Sequence, residues 1–332
     1  MREINLNLFN FLYDELGAIY DIDPNGVESN LNNDEEKNLK YLGTYFPRSY
    51  VEAYRIYNNI FEDKEVFNKF NNKDIIRVLD IGSGTGGSLL GLLQVLLENF
   101  ENKEIEIISI EGNDNASEIQ YEIFGKLSEL MEYNGNTIRG NIHTIKFEDK
   151  NELEEKLNSL SIDNRIDIMQ SFKMINEFYR EDYYTNRGMF GHLLYLANKW
   201  LRKSGILCLL DVTYKIPNLE FVSILFNEEV KEFLNNEDTQ LNYILPRCCA
   251  MNYNVCTKEN QCFSKRTFTI DFGDFTDISK VNYKLFIKGK LGESIRNRIL
   301  DEGCGFQPCT CYCRDYLDQD NCTKRFDQPY LL

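Results

Sequence analysis

The chain has 332 residues, enough for one large domain or two small ones, and sets 37 Lys and Arg against 53 Asp and Glu for a formal net charge of −16. That balance argues against broad binding of naked nucleic acid, which needs a basic face, and leaves open only a local basic patch or a basic partner. Hydrophobic residues make up 42% and aromatics 13%, so a packed core is feasible and global disorder is not expected. Met1 to Tyr20 carries Asp14 and Glu15 within its apolar pattern and lacks a strongly basic start. No run approaches a membrane span, and the expectation is a soluble, cytoplasmic protein without a leader.

Residues 1–70 read as a helical cap. Leu6, Phe9, Phe11 and Leu12 give an apolar stripe, and Asp21 to Glu36 is a polar link. Pro47 is expected at the first turn of a helix running to about Phe67, with Val51, Tyr54, Ile56, Tyr57 and Ile60 periodic. That helix either packs on the sheet or brings Tyr45, Tyr50 or Tyr54 over a ligand.

Ile75 to Leu79 reads as a buried strand, followed by Asp80. Gly82-Ser-Gly-Thr-Gly-Gly87 comes next, and Leu89 to Leu97 reads as a helix. Glycines in such a strand-to-helix turn let the backbone approach a ligand and take positive φ. No Lys-Ser/Thr pair closes the turn, which argues against a P-loop. A carboxylate just before the glycines repels a pyrophosphate and suits an ammonium or sulfonium group. Val78-Leu-Asp-Ile-Gly-Ser-Gly-Thr-Gly86 resembles the first motif of the class I S-adenosylmethionine-dependent methyltransferases, an apolar strand, an acid, then Gly-x-Gly-x-Gly.

Glu104 to Ile110 reads as a second parallel strand ending in Glu111, 24 residues beyond Gly87. That is near the roughly 20 expected of a ribose-binding acid, a spacing dehydrogenases share. Ala116 to Tyr133 forms a crossover helix, Asn141 to Phe147 a third strand, Leu153 to Leu160 a helix and Arg165 to Phe172 a fourth strand. The resemblance implies that an acid near the third strand contacts adenine, for which Asp149 is the candidate, a solvated turn acid being the alternative. It also places the end of the fourth strand beside the transferable methyl, where Ser171, Lys173, Asn176 and Glu177 are the polar residues. Gly188 to Leu201 reads as a helix leading through a Gly205 turn into the strand Ile206 to Val212, where Cys208 reads as a buried hydrophobe. Arg266 to Phe272 and Asn282 to Lys288 alternate and read as an antiparallel pair about a turn at Gly273 to Asp277.

Nine of the ten cysteines follow residue 247. Thiolates spaced on loops can wrap a soft metal, and no regular C-x-x-C pair indicates a zinc ribbon. Free thiols, disulfides in an oxidising environment, or a reactive group at Cys309, Cys311 and Cys313 are the alternatives. Pro246-Arg-Cys-Cys249, Cys256 and Cys262-Phe-Ser-Lys-Arg266 resemble the cysteine insert of the methyltransferase-like proteins associated with mitochondrial small-ribosomal-subunit assembly and their bacterial relatives. That resemblance implies an iron–sulfur cluster held by Cys249 (or Cys248), Cys256, Cys262 and one of Cys304 or Cys309. Phe263 stands where that family has His.

The expected fold is an α/β doubly wound, mostly parallel sheet of methyltransferase-like Rossmann type with a closing antiparallel hairpin. Its divisions are an N-terminal helical cap over 1–70, a methyltransferase-like domain over 71–292 with a cysteine-containing insert at about 245–265, and a cysteine-rich elaboration over 293–332. The implied function is methyl transfer from S-adenosylmethionine, with Asp80, Gly82, Ser83, Gly84 and Gly86 on the methionine part, Glu111 on the ribose, Asp149 on adenine, Ser171 nearby and Glu177 as base. The acceptor is open among small molecule, peptide and RNA. The competing expectations are an assembly or interaction protein on this scaffold with an iron–sulfur or zinc centre, the cysteines being Cys249, Cys256, Cys262 and Cys304, and a nicotinamide-dependent dehydrogenase.

Overall fold

The computed structural model describes residues 4, 6–22, 34–160, 162, 165–213, 215–216, 220–236, 238–253, 265–272 and 275–302. They fall into two compact units, one built from residues up to Phe147 with Phe268–Ser279, the other from Glu148–Thr267 and from Lys280 onward.

The first unit begins with α1 (Leu6–Asn10) and a π turn over Phe11–Glu15. Leu8, Phe11 and Leu12 are buried there, whereas Leu6 is exposed, so the predicted stripe is shifted at its first member. A single long helix, α2 (Glu35–Phe61), follows, capped by Asp34, whose side chain accepts from the Lys37 N–H. Pro47 therefore lies inside this helix and not at its first turn, and the helix ends before Phe67. An interior proline costs about 3 kcal/mol. The apolar periodicity explains why the helix continues through it: Leu42, Phe46, Tyr50, Ala53 and Tyr57 are all buried, spanning the proline on both sides. Pro47 has no N–H to offer the Gly43 carbonyl, and the Tyr13 hydroxyl donates to that carbonyl instead. Then comes α3 (Lys64–Asn71), capped by Asp63.

The remaining elements of this unit are β1 (Ile75–Ile81), α4 (Gly87–Asn99), β2 (Glu104–Glu111), α5 (Asp114–Gly125), α6 (Leu127–Leu130) and β3 (Thr137–Thr144). The helix expected over Ala116 to Tyr133 is thus broken beyond Gly125, a weak helix former. β1 pairs parallel with β2 (Ile75↔Glu104), and β2 with β3 (Glu104↔Thr137), giving the order β3-β2-β1. β3 starts four residues before the predicted Asn141. Ile142 is its one buried residue, as befits an edge strand, and such a segment carries little one-face signal. Its Arg139 pairs with Glu104 at 2.8 Å.

The second unit contains α7 (Lys150–Ser159), β4 (Ile166–Phe172), α8 (Ile175–Asn186), α9 (Met189–Trp200), β5 (Leu201–Val212), α10 (Val222–Asn236), β6 (Leu241–Leu245) and α11 (Arg247–Asn252). β7 (Lys265–Phe272), β8 (Phe275–Lys288) and α12 (Lys290–Glu302) complete the chain's described elements. All seven residues of β4 are buried. β4 and β5 are parallel, and β8 runs antiparallel both to β5 (Ile206↔Ile287) and to β6 (Leu241↔Lys288). The order here is β4-β5-β8-β6, with β8 inserted between two strands of opposite direction. The predicted Gly205 turn is an irregularity within β5, where Ser204 takes φ 71°. β7 pairs with β8, which restarts at Phe275, inside the predicted turn. The helices α8, α10, α11 and α12 and the strand β6 carry no counterpart in the sequence reading. The architecture is a doubly wound, mostly parallel α/β fold with an antiparallel end. Among the described residues no helix is long and apolar enough to cross a membrane.

Candidate cofactor site

The glycine turn joins β1 to α4. Asp80, expected to follow the strand, is its penultimate residue and is fully buried, and the Ser88 hydroxyl in the first turn of α4 donates to its Oδ2 at 3.3 Å. The turn then hangs on β2, with the N–H groups of Gly82 and Ser83 donating to the Ile110 carbonyl at 2.8 and 3.1 Å. Gly82, Gly84 and Gly86 take φ of 72°, 56° and 91°, a region that costs an L residue roughly 1–2 kcal/mol each. Gly87 serves another purpose. A Cβ there would lie 2.6 Å from the Phe46 carbonyl oxygen, and one at Gly91 would lie 2.2 Å from that of Tyr50. These two glycines let α4 pack tightly on α2.

Glu111, at the end of β2, is buried. Its Oε2 accepts the Gly84 N–H at 2.6 Å and its Oε1 the Asn113 N–H at 2.8 Å. Burial pushes its pKa up, and the N–H groups of Asn113, Gly84 and Gly112 oppose that shift. A carboxylate offers about four acceptor directions, so this one anchors the turn and keeps an acceptor direction for a further donor.

A neutral network beneath the turn was not foreseen. The Gln120 amide on α5 donates to the Gly84 carbonyl at 2.5 Å and to Ser83 Oγ at 2.8 Å, and its Oε1 accepts the Ser109 hydroxyl at 2.7 Å. Ser109 Oγ also lies 2.7 Å from Ser83 Oγ. All three side chains are buried, and because the Gly84 carbonyl only accepts, the amide nitrogen must face it. The signal available in the sequence was Ser109 itself, a small polar residue set between Ile108 and Ile110 near the end of the strand.

From α2, the Asn38 amide donates to Asn113 Oδ1 at 3.1 Å, and that same oxygen caps α5 by accepting the Ala116 N–H. One turn on, Tyr41 Cε1 would lie 3.4 Å from a Cβ placed on Gly84. Of the tyrosines singled out from sequence, Tyr50 is buried and Tyr54 donates to Glu98 at 2.8 Å. Tyr45 is half-buried and packs on Tyr41, ring centroids 5.0 Å apart.

In the second unit, Ser171 is buried in β4 with its Oγ 4.0 Å from Met174 Sδ. Lys173 takes φ 62°, and its N–H donates to the Leu210 carbonyl at 2.7 Å. Asn176 is held by Asp211 of β5: its N–H donates to Oδ2 at 2.9 Å and its Nδ2 to Oδ1 at 2.7 Å. Asp211 is fully buried, and burial pushes its pKa up to about 6 against the pull of the Val212 and Asn176 donors. Glu177 is half-buried in the first turn of α8. Asp149 is the N-cap of α7: its Oδ1 accepts the N–H groups of Asn151 and Glu152 at 2.7 and 3.0 Å, which hold its pKa down.

Cys208 is buried in β5 as expected, and Cys249 is half-buried on α11. Cys256, Cys262, Cys304 and Cys309 lie outside the described residues. Among the described residues no three His, Cys, Asp or Glu side chains group to hold a metal ion.

The arrangement around Gly84 presents two buried carboxylates, and no lysine or arginine occurs between Gly82 and Ser88. Both groups accept hydrogen bonds and carry negative charge when ionised, which opposes a diphosphate.

No family model and no curated protein matches the chain. Among solved structures it is similar to the plantazolicin methyltransferase BpumL in complex with SAH, with 11% identity over 86% of this chain and 96% of that one and a TM-score of 0.41. It is similar also to a methyltransferase from Pyrococcus furiosus, with 12% identity over 85% and 95% and a TM-score of 0.32. A third is the DszA carbon methyltransferase, with 13% identity over 65% of this chain, a TM-score of 0.34, and about half (48%) of that chain covered.

Proposed function

We propose that this protein is an S-adenosylmethionine-dependent methyltransferase. The observation that carries the reading is Asp80, a fully buried carboxylate at the strand end before a glycine turn that contains no basic side chain. A buried acid at that place favours an ammonium group, by about 1.5–3 kcal/mol per charged hydrogen bond, and a sulfonium through charge alone, and it disfavours a dinucleotide.

In this reading the backbone of Gly82 to Gly86 lies along the methionine part, Glu111 accepts the ribose hydroxyls, and Asp149 meets the adenine amino group. The bound sulfonium supplies an activated methyl and a neutral leaving group. The protein's work is then alignment and exclusion of water. Ser171 and Asn176 frame the acceptor side, and Glu177 takes a proton where the acceptor carries one.

Calorimetric titration of the purified protein with S-adenosylmethionine, S-adenosylhomocysteine and NAD tests this. Binding of the first two without NAD is the expected result. No heat from either, or tighter binding of NAD, refutes the assignment.

A further inference from the structure

Both polar groups of Gly84 are already used by the protein. Its N–H is held by Glu111 at 2.6 Å and its carbonyl by Gln120 at 2.5 Å. What Gly84 offers a ligand besides the second lone pair of its carbonyl is a Cα edge without a side chain. That face is bordered by Tyr41: a Cβ built on Gly84 would lie 3.4 Å from Tyr41 Cε1 and 3.5 Å from its hydroxyl. The ring is backed by Tyr45, at 5.0 Å and 32° to it, and the Arg48 guanidinium stands 5.2 Å over Tyr45. A turn earlier on the same helix, buried Asn38 bonds Asn113, whose own N–H donates to Glu111. The first half of α2 thus borders Gly84 through Tyr41 and reaches Glu111 only through Asn113. That half is also marked off from the second, because Pro47 cannot bond the Gly43 carbonyl.

We infer that Tyr41 is a ligand-contacting residue, its ring edge closing over the ribose of a nucleoside seated on Gly84 and Glu111. The inference rests on the methyl-donor reading above. Tyr41 supplies an apolar edge and a hydroxyl at one place, a combination suited to a sugar, which has both C–H and O–H faces.

The test is S-adenosylhomocysteine affinity by calorimetry for the unsubstituted protein, Tyr41→Ala and Tyr41→Phe, with thermal unfolding of each apo form. Tyr41→Ala is expected to weaken binding about tenfold while Tyr41→Phe, which keeps the ring edge, loses about threefold or less. Hydrogen exchange supplies a second readout: the ligand slows exchange across residues 35–46 in the unsubstituted protein, and less so in Tyr41→Ala. Equal affinities for all three proteins, with the ligand bound, overturn the role of Tyr41 and leave the methyl-donor reading standing. No binding by the unsubstituted protein overturns both.

Discussion

The turn after β1 and the turn after β4 each follow the carboxyl end of a parallel strand, yet they are held by different chemistry. The first is held largely by neutral groups, the Ile110 carbonyl, Gln120, Ser83 and Ser109, together with the Glu111 carboxylate. Its unusual φ values sit on glycines, where they cost little. The second places φ 62° on a lysine whose N–H is held by the Leu210 carbonyl, and a fully buried carboxylate, Asp211, grips Asn176 through backbone and side chain. Strain on a non-glycine residue persists only when its surroundings over-determine it. The first turn thus takes its φ values from its own glycines and its anchors from β2 and α5, whereas the second imposes its φ on a lysine and is clamped from β5.

The sharpest separation of the two comes from removing each acid. Glu111→Ala deletes both the anchor for Gly84 and the acceptor for a diol, and is expected to weaken S-adenosylhomocysteine binding roughly a hundredfold. Asp211→Ala is expected to leave that affinity within about twofold while costing about 1–3 kcal/mol of stability, since Asn176 loses both donors' partner. Calorimetry on the two variants, with urea unfolding alongside, checks both. Comparable losses of affinity would break the distinction between the turns.

That contrast also explains what could be anticipated. The strand β1, the helix α4, Asp80, the glycines and Glu111 were legible because a strand–turn–helix motif keeps its determinants within one short stretch. Gln120 acts on Ser83 across 37 positions and Asp211 on Asn176 across 35, and nothing in either local pattern announces the partner. The start of α2 was misplaced because Pro47 is a strong local stop that buried residues on both sides override. β3 slipped because an edge strand with one buried residue has no face to show. β6 is five residues long and ends against Pro246, so its apolar run merged with the cysteine-bearing stretch that follows.

A smaller effect is expected at the neutral network. Gln120→Leu keeps the volume and removes the donor to Gly84 and Ser83, leaving a buried carbonyl without its partner, a cost of about 1–3 kcal/mol. Because Gly84 is the residue displaced, affinity for the donor product falls too, by about tenfold at most. Gln120→Glu is the stricter comparison, since it keeps the shape and sets an acceptor against the Gly84 carbonyl. It should do no better than leucine. Full affinity in both variants would mean that the glycines hold their conformation unaided.

The smallest expected effect is the one that reads the charge on Asp211 directly. Its carboxyl is raised from 3.8 to about 6 by burial, so the folded state favours the protonated form. A group whose pKa is raised on folding contributes stability below its unfolded value and loses that contribution as pH climbs through the folded one. The window is therefore from about 4 to 6. Over the part of it above pH 5 and on to pH 7, the stability advantage of the unsubstituted protein over Asp211→Ala should shrink by about 1 kcal/mol. The Ala variant is the reference because the many exposed carboxylates titrate alike in both proteins and cancel. An advantage that grows with pH would place the folded pKa of Asp211 below its unfolded value, and would make the Asn176 clamp a stabilised ion held by its donors in place of an acid held by burial.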